Sequence, residues 1–384
     1  MRLAIITTHP VQYYAPVFKL LQQHPGLDIK VFYTWGKNAV EKFDPGFRKI
    51  VEWDTPLLDG YAYEWVKNTS ADPGSHHFNG IINPTLIDDI KAWQADALLV
   101  YGWAYKSHLK LIRYFKNRIP VYFRGDSTLL DNRKGPRAIL RAVFLKWVYA
   151  YVDHAFYVGS ANRAYFKKYG LKDNQLTFAP HAIDNGRFAA DKTGEAHKIR
   201  ECFSVDNSDV LILFAGKFEE KKSPQLLLDA FITLNMSKTH LLFVGDGILG
   251  PPLKHKAGNY PNVHVLGFQN QSVMPAVYQA CDLFCLPSKG PGETWGLSVN
   301  EAMAAGKPVL VSDKCGCAID LVRQGVNGEI FESDQTDSIV AKLSLLLKNK
   351  AELKILGLNA KHEIRPWSFS HQANAILNTL FNEK

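Results

Sequence analysis

The sequence predicts an α/β protein made of two doubly wound domains. Three observations carry this: strand-length apolar runs alternate with helix-length stretches, the alternation lapses once near the middle and restarts, and 384 residues suffice for two domains with separate cores. The composition is that of an ordinary globular chain, with 46% hydrophobic and 21% charged residues. A disordered or fibrous chain is excluded.

In the first half, residues 3–7, 29–33, 97–101, 121–124, 155–158 and 176–179 read as buried strands of a parallel sheet, because their apolar runs are nearly continuous. After Phe188 a polar stretch, 189–209, reads as a linker and a helix. The alternation resumes at 210–215, 240–244, 263–266, 283–286, 309–311 and 329–331. We therefore assign an N-terminal domain to 1–190 and a C-terminal domain to 191–366. Beyond Pro366-Trp367, residues 367–384 read as an amphipathic helix packing across the domain junction. Sheets of this kind bind ligands at the carboxyl ends of their strands, so two facing domains imply a shared cleft.

Five cysteines, odd in number and without paired spacing, fit neither a disulfide framework nor a zinc site. The opening residues lack a signal-peptide core, and no apolar run approaches ~18 residues. A cytoplasmic chain is expected, and the sequons at Asn68, Asn235 and Asn270 are then chance matches. The net charge of +8 is concentrated: between 106 and 168, fourteen lysines and arginines stand against three acids, and this local +11 leaves the remainder at −3. Within that segment 136–152 reads as a basic amphipathic helix, its Arg137, Arg141 and Lys146 set among apolar residues including Trp147. Such a helix suits an anionic membrane surface, which would make the protein peripheral on the inner face of the cytoplasmic membrane. A core helix with a solvated basic edge is the plainer reading. No nucleic-acid-binding motif accompanies the charge, and nucleic acid is not expected as a partner.

Gly245-Asp246-Gly247-Ile248-Leu249-Gly250 matches the dinucleotide fingerprint G-x-G-x-x-G after a strand. Its context fails: Pro251-Pro252 opposes a long phosphate-facing helix, and no acid stands ~20 residues on for a ribose. A glycine turn is the expectation. The stronger constellation runs from Pro291 to Pro308, a strand exit with a turn at Gly296 that continues as a helix. Backbone N–H groups of Gly296, Leu297 and Ser298 would then face outward at the positive end of that helix, where a diphosphate docks without a metal. Glu293 and Glu301 are eight residues apart, a rise of about 12 Å if helical. That exceeds the ~5–9.5 Å of a glycosidase pair and suits two ends of one extended ligand. A capping acid plus an unrelated surface Glu is the bland alternative. Lys217 and Lys222 flank a turn at Gly216, at the carboxyl end of the second domain's first strand, where cations can neutralise a leaving diphosphate. Read alone, a lysine-rich turn is usually just solvated.

This ordered set resembles the retaining glycosyltransferases of family 4, the group 1 enzymes of GT-B architecture with two Rossmann-like domains facing a cleft. The resemblance covers the C-terminal half: the G-[RK]-x4-K turn at Gly216, Lys217 and Lys222, the Val265-Leu266-Gly267-Phe268 turn, the E-x7-E element at Glu293 and Glu301, and Gly325-Val326-Asn327-Gly328. It implies that Glu301 binds the donor ribose, that Glu293 meets the transferred sugar, and that Lys217 and Lys222 bind the diphosphate. Gly267, Thr294, Gly296, Leu297 and Ser298 complete the implied donor site, and Lys217, Lys222 and Glu293 the catalytic set. His181-Ala182-Ile183-Asp184 is similar to the family's connector, with His replacing Asn. Three departures stand out: Lys217 replaces the commoner Arg, Thr294 replaces a usual Gly, and Thr8-His9-Pro10 replaces the double glycine after the first strand. Gly125-Asp126 occupies the position of the family's His-Asp pair, so His9, Arg124 and Asp126 are the acceptor-side candidates.

The resemblance implies transfer from a nucleotide diphosphate sugar, a co-substrate rather than a cofactor, to a glycan or lipid-linked acceptor with retention. The absence of a D-x-D motif argues against metal-assisted departure of the leaving group. A sugar-nucleotide epimerase of the same fold, a catalytically silent nucleotide-sugar-binding protein and a membrane-binding protein with a structural second domain are the alternatives.

Overall fold

The computed structural model describes residues 1–37, 43–44, 49–50, 52–131 and 135–382. The chain forms two compact units: Met1–Lys42, Pro56–His181 and Phe369–Lys384 make the first, and Phe43–Thr55 with Ala182–Ser368 the second.

In chain order the strands begin with β1 (Arg2–Thr7), β2 (Asp28–Tyr33), the two-residue pair β3 (Phe43–Asp44) and β4 (Lys49–Ile50), and β5 (Ala62–Trp65). Next come β6 (Ala97–Tyr101), β7 (Val121–Arg124), β8 (His154–Tyr157) and β9 (Leu176–Phe178). The first unit's sheet has the order β5-β2-β1-β6-β7-β8-β9, parallel throughout. Leu3 and Ile5 enter one apolar layer and Ala4 and Ile6 the other, so β1 is buried on both faces and reads as an unbroken apolar run.

The second unit holds β10 (Val210–Ala215), β11 (Thr239–Val244), β12 (Val263–Leu266), β13 (Leu283–Leu286), β14 (Val309–Ser312) and β15 (Gly328–Phe331). Their order is β12-β11-β10-β13-β14-β15, again all parallel. Phe214, Phe218, Leu227, Phe231 and Phe243 form the centre of its largest apolar cluster. In both sheets the order reverses beside the first strand, and the two doubly wound Rossmann-like domains anticipated from the apolar runs are present. Every strand anticipated from sequence is found within one residue at each end.

Besides the short pair β3 and β4, β5 is a strand the sequence does not announce. It is a half-exposed edge strand, Ala-Tyr-Glu-Trp, whose Glu64 pairs with Lys30 across β2 at 2.5 Å, so it lacks the continuous apolar run of its neighbours. The C-terminal helix, Phe369–Asn382, belongs to the first unit. Ala373, Ile376 and Leu380 share a layer with Ala15, Phe18 and Leu21 of the helix Ala15–Gln22, and Thr379 Oγ1 donates to Thr177 Oγ1 at 3.2 Å. This apolar stripe covers the first sheet, where the sequence reading has the helix cross the junction.

Candidate functional site

The turn after β10 is shaped by its neighbour. Gly216 N donates to Val244 O at 3.0 Å, and Phe218 N to Asp246 O at 2.8 Å. At Gly245, with φ +147°, a Cβ would stand 1.9 Å from Gly216 O; at Gly247, with φ +153°, it would stand 2.5 Å from Phe218 O. The fingerprint glycines therefore let two turns touch backbone to backbone and so support the Gly216–Lys217 turn. A helix, Gly250–Ala257, does start here despite Pro251-Pro252, because prolines in a first turn forfeit only N–H groups that have no helical partner.

Beyond this turn a short 3-10 segment, Glu220–Lys222, ends at Ser223 in the left-handed region, and the helix Pro224–Leu234 follows. Lys222 Nζ lies 2.6 Å from Glu293 Oε2, with their side chains 16% and 8% exposed. Ser288 Oγ donates to the same oxygen at 3.0 Å. Burial pulls the Lys222 ammonium down, but the charge and hydrogen bond of Glu293 more than offset this and hold it above its ordinary value, so Lys222 is firmly cationic. β10 and β13 are adjacent, and this ion pair ties the loops leaving them together at the reversal of strand order.

The loop after β13 is held from several sides. Gly316 N donates to Glu293 O at 3.1 Å and Cys317 N to Trp295 O at 3.0 Å, and a Cβ at Gly316 would stand 1.8 Å from Thr294 O. Trp295 Nε1 donates to Asn300 Oδ1 at 2.9 Å, and its ring lies 5.0 Å from that of Trp367. Gly296, at φ +101°, caps the helix Leu297–Ala304, where a Cβ would press within 2.9 Å of Leu286 Cδ2. No side chain caps this helix start, and Ser298 Oγ beside it is buried without a hydrogen-bond partner. One turn on, buried Glu301 accepts from Tyr278 OH at 2.8 Å. Cys315 sits beside the ion pair, its thiol pushed up to about 12 by burial and then by Glu293.

Lys217, Lys222, Glu293, Thr294, Gly296, Leu297, Ser298 and Glu301 thus fall on the exits of two neighbouring strands, with direct contact between Lys222 and Glu293. Gly267 follows β12, at the sheet's edge, its carbonyl accepting from Gln269 Nε2 at 3.1 Å. The sequence reading misses Tyr278 and Ser288, the hydroxyls that orient the two carboxylates. Tyr278 lies on a helix with no motif, and only its partner in space marks it.

The first unit carries a cavity of about 500 Å³ at the exits of β1, β6, β7 and β8, bounded by Thr8, Tyr14, Tyr101, Arg124, Asp126 and His181 among others. Tyr101 OH is buried there without a hydrogen-bond partner, and burial pushes its pKa up to about 12. His181 is pushed down to about 4 by burial and then by Arg124, against the opposing pull of Asp126, so it is neutral at pH 7. Arg124, in the wall of this cavity, is 2% exposed, and its NH1 and NH2 donate to Ala179 O at 2.8 Å and Pro180 O at 3.0 Å. Those bonds tether the chain leaving β9. His9 stands one residue past Thr8, Nδ1 2.8 Å from Thr8 Oγ1 and its ring edge-on to Trp35 at 5.4 Å.

Residues 196–363 match the family described as Glycosyl transferases group 1. The chain is 26% identical over 225 residues to the D-inositol 3-phosphate glycosyltransferase of Rhodococcus opacus, covering 56% of this chain and 49% of that one. It is 26% identical over 212 residues to the sulfoquinovosyl transferase of Arabidopsis thaliana, covering 54% and 40%. The chain thus spans about half the length of these relatives. In fold it is similar over the whole of both chains to Anabaena HepE, solved in complex with UDP and glucose (TM-score 0.73, 18% identity), and to sucrose-phosphate synthase from Thermosynechococcus elongatus (TM-score 0.73, 16% identity). The architecture is GT-B.

Proposed function

We propose that this chain, whose residues 196–363 match the group 1 glycosyltransferase family, moves a sugar from a nucleotide diphosphate sugar to a glycan or lipid-linked acceptor, with retention and without a metal ion. The observation that carries the reading is the buried Lys222–Glu293 pair at the reversal of strand order, beside an uncapped helix start and the buried Glu301. An ammonium has three protons, and Glu293 takes one, which leaves Lys222 able to bind the diphosphate as well. Lys217, Lys222 and the first amides of the helix Leu297–Ala304 stabilise the charge that grows on the leaving diphosphate. Glu301, fixed by Tyr278, accepts from the ribose hydroxyls, and Glu293 meets the transferred sugar. The acceptor oxygen bonds to the anomeric carbon on the face from which the diphosphate leaves, and its proton passes to a departing phosphate oxygen. Similarity to HepE, which binds UDP, supports a nucleotide diphosphate donor.

A peripheral position on the inner face of the cytoplasmic membrane fits the helix Pro136–Tyr149, where Ile139, Leu140 and Val143 are 67%, 71% and 64% exposed. Arg137, Arg141 and Lys146 are exposed on the same helix, which matches an anionic leaflet in charge and in apolar surface. Among the described residues no helix is long and apolar enough to cross a membrane.

The test is product analysis with UDP-, GDP- and ADP-sugars, with and without a lipid-extract acceptor. Transfer that needs the acceptor and preserves the anomeric configuration supports the reading. A donor converted to its epimer without acceptor makes the chain an epimerase, and a donor bound but never consumed makes it a silent binder.

A further inference from the structure

The loop that follows β5 brings two imidazoles to one carboxylate. His76 Nε2 lies 3.3 Å and His77 Nε2 3.2 Å from Asp72 Oδ2, and one donor atom from each of the three residues lies within 4.8 Å of the others. A charge-assisted hydrogen bond between imidazolium and carboxylate closes to about 2.7–2.9 Å. Both contacts here are longer, and both end on the same oxygen. A tetrahedral ion with bonds of about 2.0–2.1 Å spaces its ligands roughly 3.3 Å apart. The two separations from Asp72 each match an edge of such a tetrahedron. Asp72 O, 3.0 Å from His77 Nε2, offers a fourth donor, and water is the alternative.

The loop holding these ligands is built to a shape. Asn68 Oδ1 accepts from Ser70 N at 3.1 Å and Ile82 N at 2.9 Å, and Ser70 Oγ donates to Asn79 O at 2.7 Å, closing the two ends on each other. Inside it, a Cβ at Gly80 would stand 2.1 Å from Gly74 O, and one at Gly74 would stand 2.3 Å from His76 Nδ1. Any larger residue at Gly74 would displace the imidazole that faces Asp72.

We propose that Asp72, His76 and His77 bind one borderline divalent cation, of which Zn²⁺ is the type, and that it clamps the 70–80 loop. This ion lies outside the transfer chemistry proposed above and does not depend on it. Its reach into the first unit is concrete: Tyr105 OH donates to Ser75 O at 3.3 Å, and Tyr105 also lines the 500 Å³ cavity. Loading the ion therefore fixes one wall of that cavity.

The test titrates ZnCl₂ calorimetrically into the metal-stripped full chain and into Asp72→Asn, His77→Ala and His76→Ala/His77→Ala, with Cys202→Ser and His255→Ala as controls for exposed surface donors. The expected result is one equivalent bound by the parent and by both controls, at least tenfold weaker binding in each single variant, and loss in the double variant. Cobalt substitution should give tetrahedral absorption bands in the parent and none in the double variant. The thermal midpoint of each metal-free chain, read alongside, establishes that the variants are folded. Absence of Zn²⁺ binding to the parent, or unchanged binding in the folded double variant, overturns the proposal.

Discussion

The two units share a strand order and differ in what they bury where their strands end. In the second, charge is buried in pairs: Lys222 on Glu293, and Glu301 on a tyrosine hydroxyl. In the first, buried Arg124 donates to two backbone carbonyls, and neutral Tyr101 and His181 line the cavity beside Asp126 and Arg141. One sheet thus presents a buried ion pair and the other a largely aromatic hollow with Arg124, Asp126 and Arg141 in its wall, although the same topology frames both. The difference teaches that the scaffold fixes where a site lies, while the loops decide its chemistry.

Breaking the ion pair should have the largest effect. Lys222→Ala leaves a buried carboxylate without its cation and should cost about 3–5 kcal/mol of stability by chemical denaturation. Transfer should fall on the order of 10²–10³-fold in the fraction still folded. Lys222→Arg should recover most of the stability. Gly245→Ala sharpens the backbone side of the comparison: its Cβ has no room against Gly216 O, and a loss of about 3 kcal/mol is expected.

The first unit's buried imidazole is tested by acid. His108, fully buried with Nε2 2.8 Å from Thr34 Oγ1, is pushed down to about 4 by burial, against an ordinary 6.5. The unfolded chain then binds the proton first, so this contribution is complete above pH 6.5 and is lost as pH falls towards 4, by roughly 3 kcal/mol. His108→Gln should flatten that part of a stability-against-pH curve. A smaller effect belongs to Tyr278→Phe, which removes a hydrogen bond to a charged group and should weaken nucleotide binding by about tenfold. Smallest in free energy is the surface: Leu140→Glu/Val143→Glu should abolish sedimentation with phosphatidylglycerol vesicles and leave the thermal midpoint nearly unchanged.

The fold was legible because parallel strands buried on both faces leave unbroken apolar runs, as residues 3–6 and 211–214 do. β5 was not, since an edge strand with Glu64 and half-exposed aromatics carries no such signal. The C-terminal helix was legible as amphipathic, but sequence does not reveal which sheet its stripe of Ala373, Ile376 and Leu380 covers. At the site, spacing made Glu293, Glu301 and Lys222 visible. The contact of Lys222 with Glu293 spans 71 positions and the Tyr278 bond 23, and no local pattern encodes either. Arg124, chosen for its strand-end position, lines the first unit's cavity, and its bonds to two backbone carbonyls could not be read from sequence.

The central claim is that the second unit reads a nucleotide diphosphate through Glu301 and Lys222. Calorimetric titration of UDP, GDP and ADP into the parent and into Glu301→Ala tests it most directly. One preferred nucleotide should bind the parent and bind the folded variant at least about tenfold more weakly, as charged hydrogen bonds of ~1.5–3 kcal/mol require. A folded parent that binds none of the three, or a folded variant that binds as tightly as the parent, would contradict it.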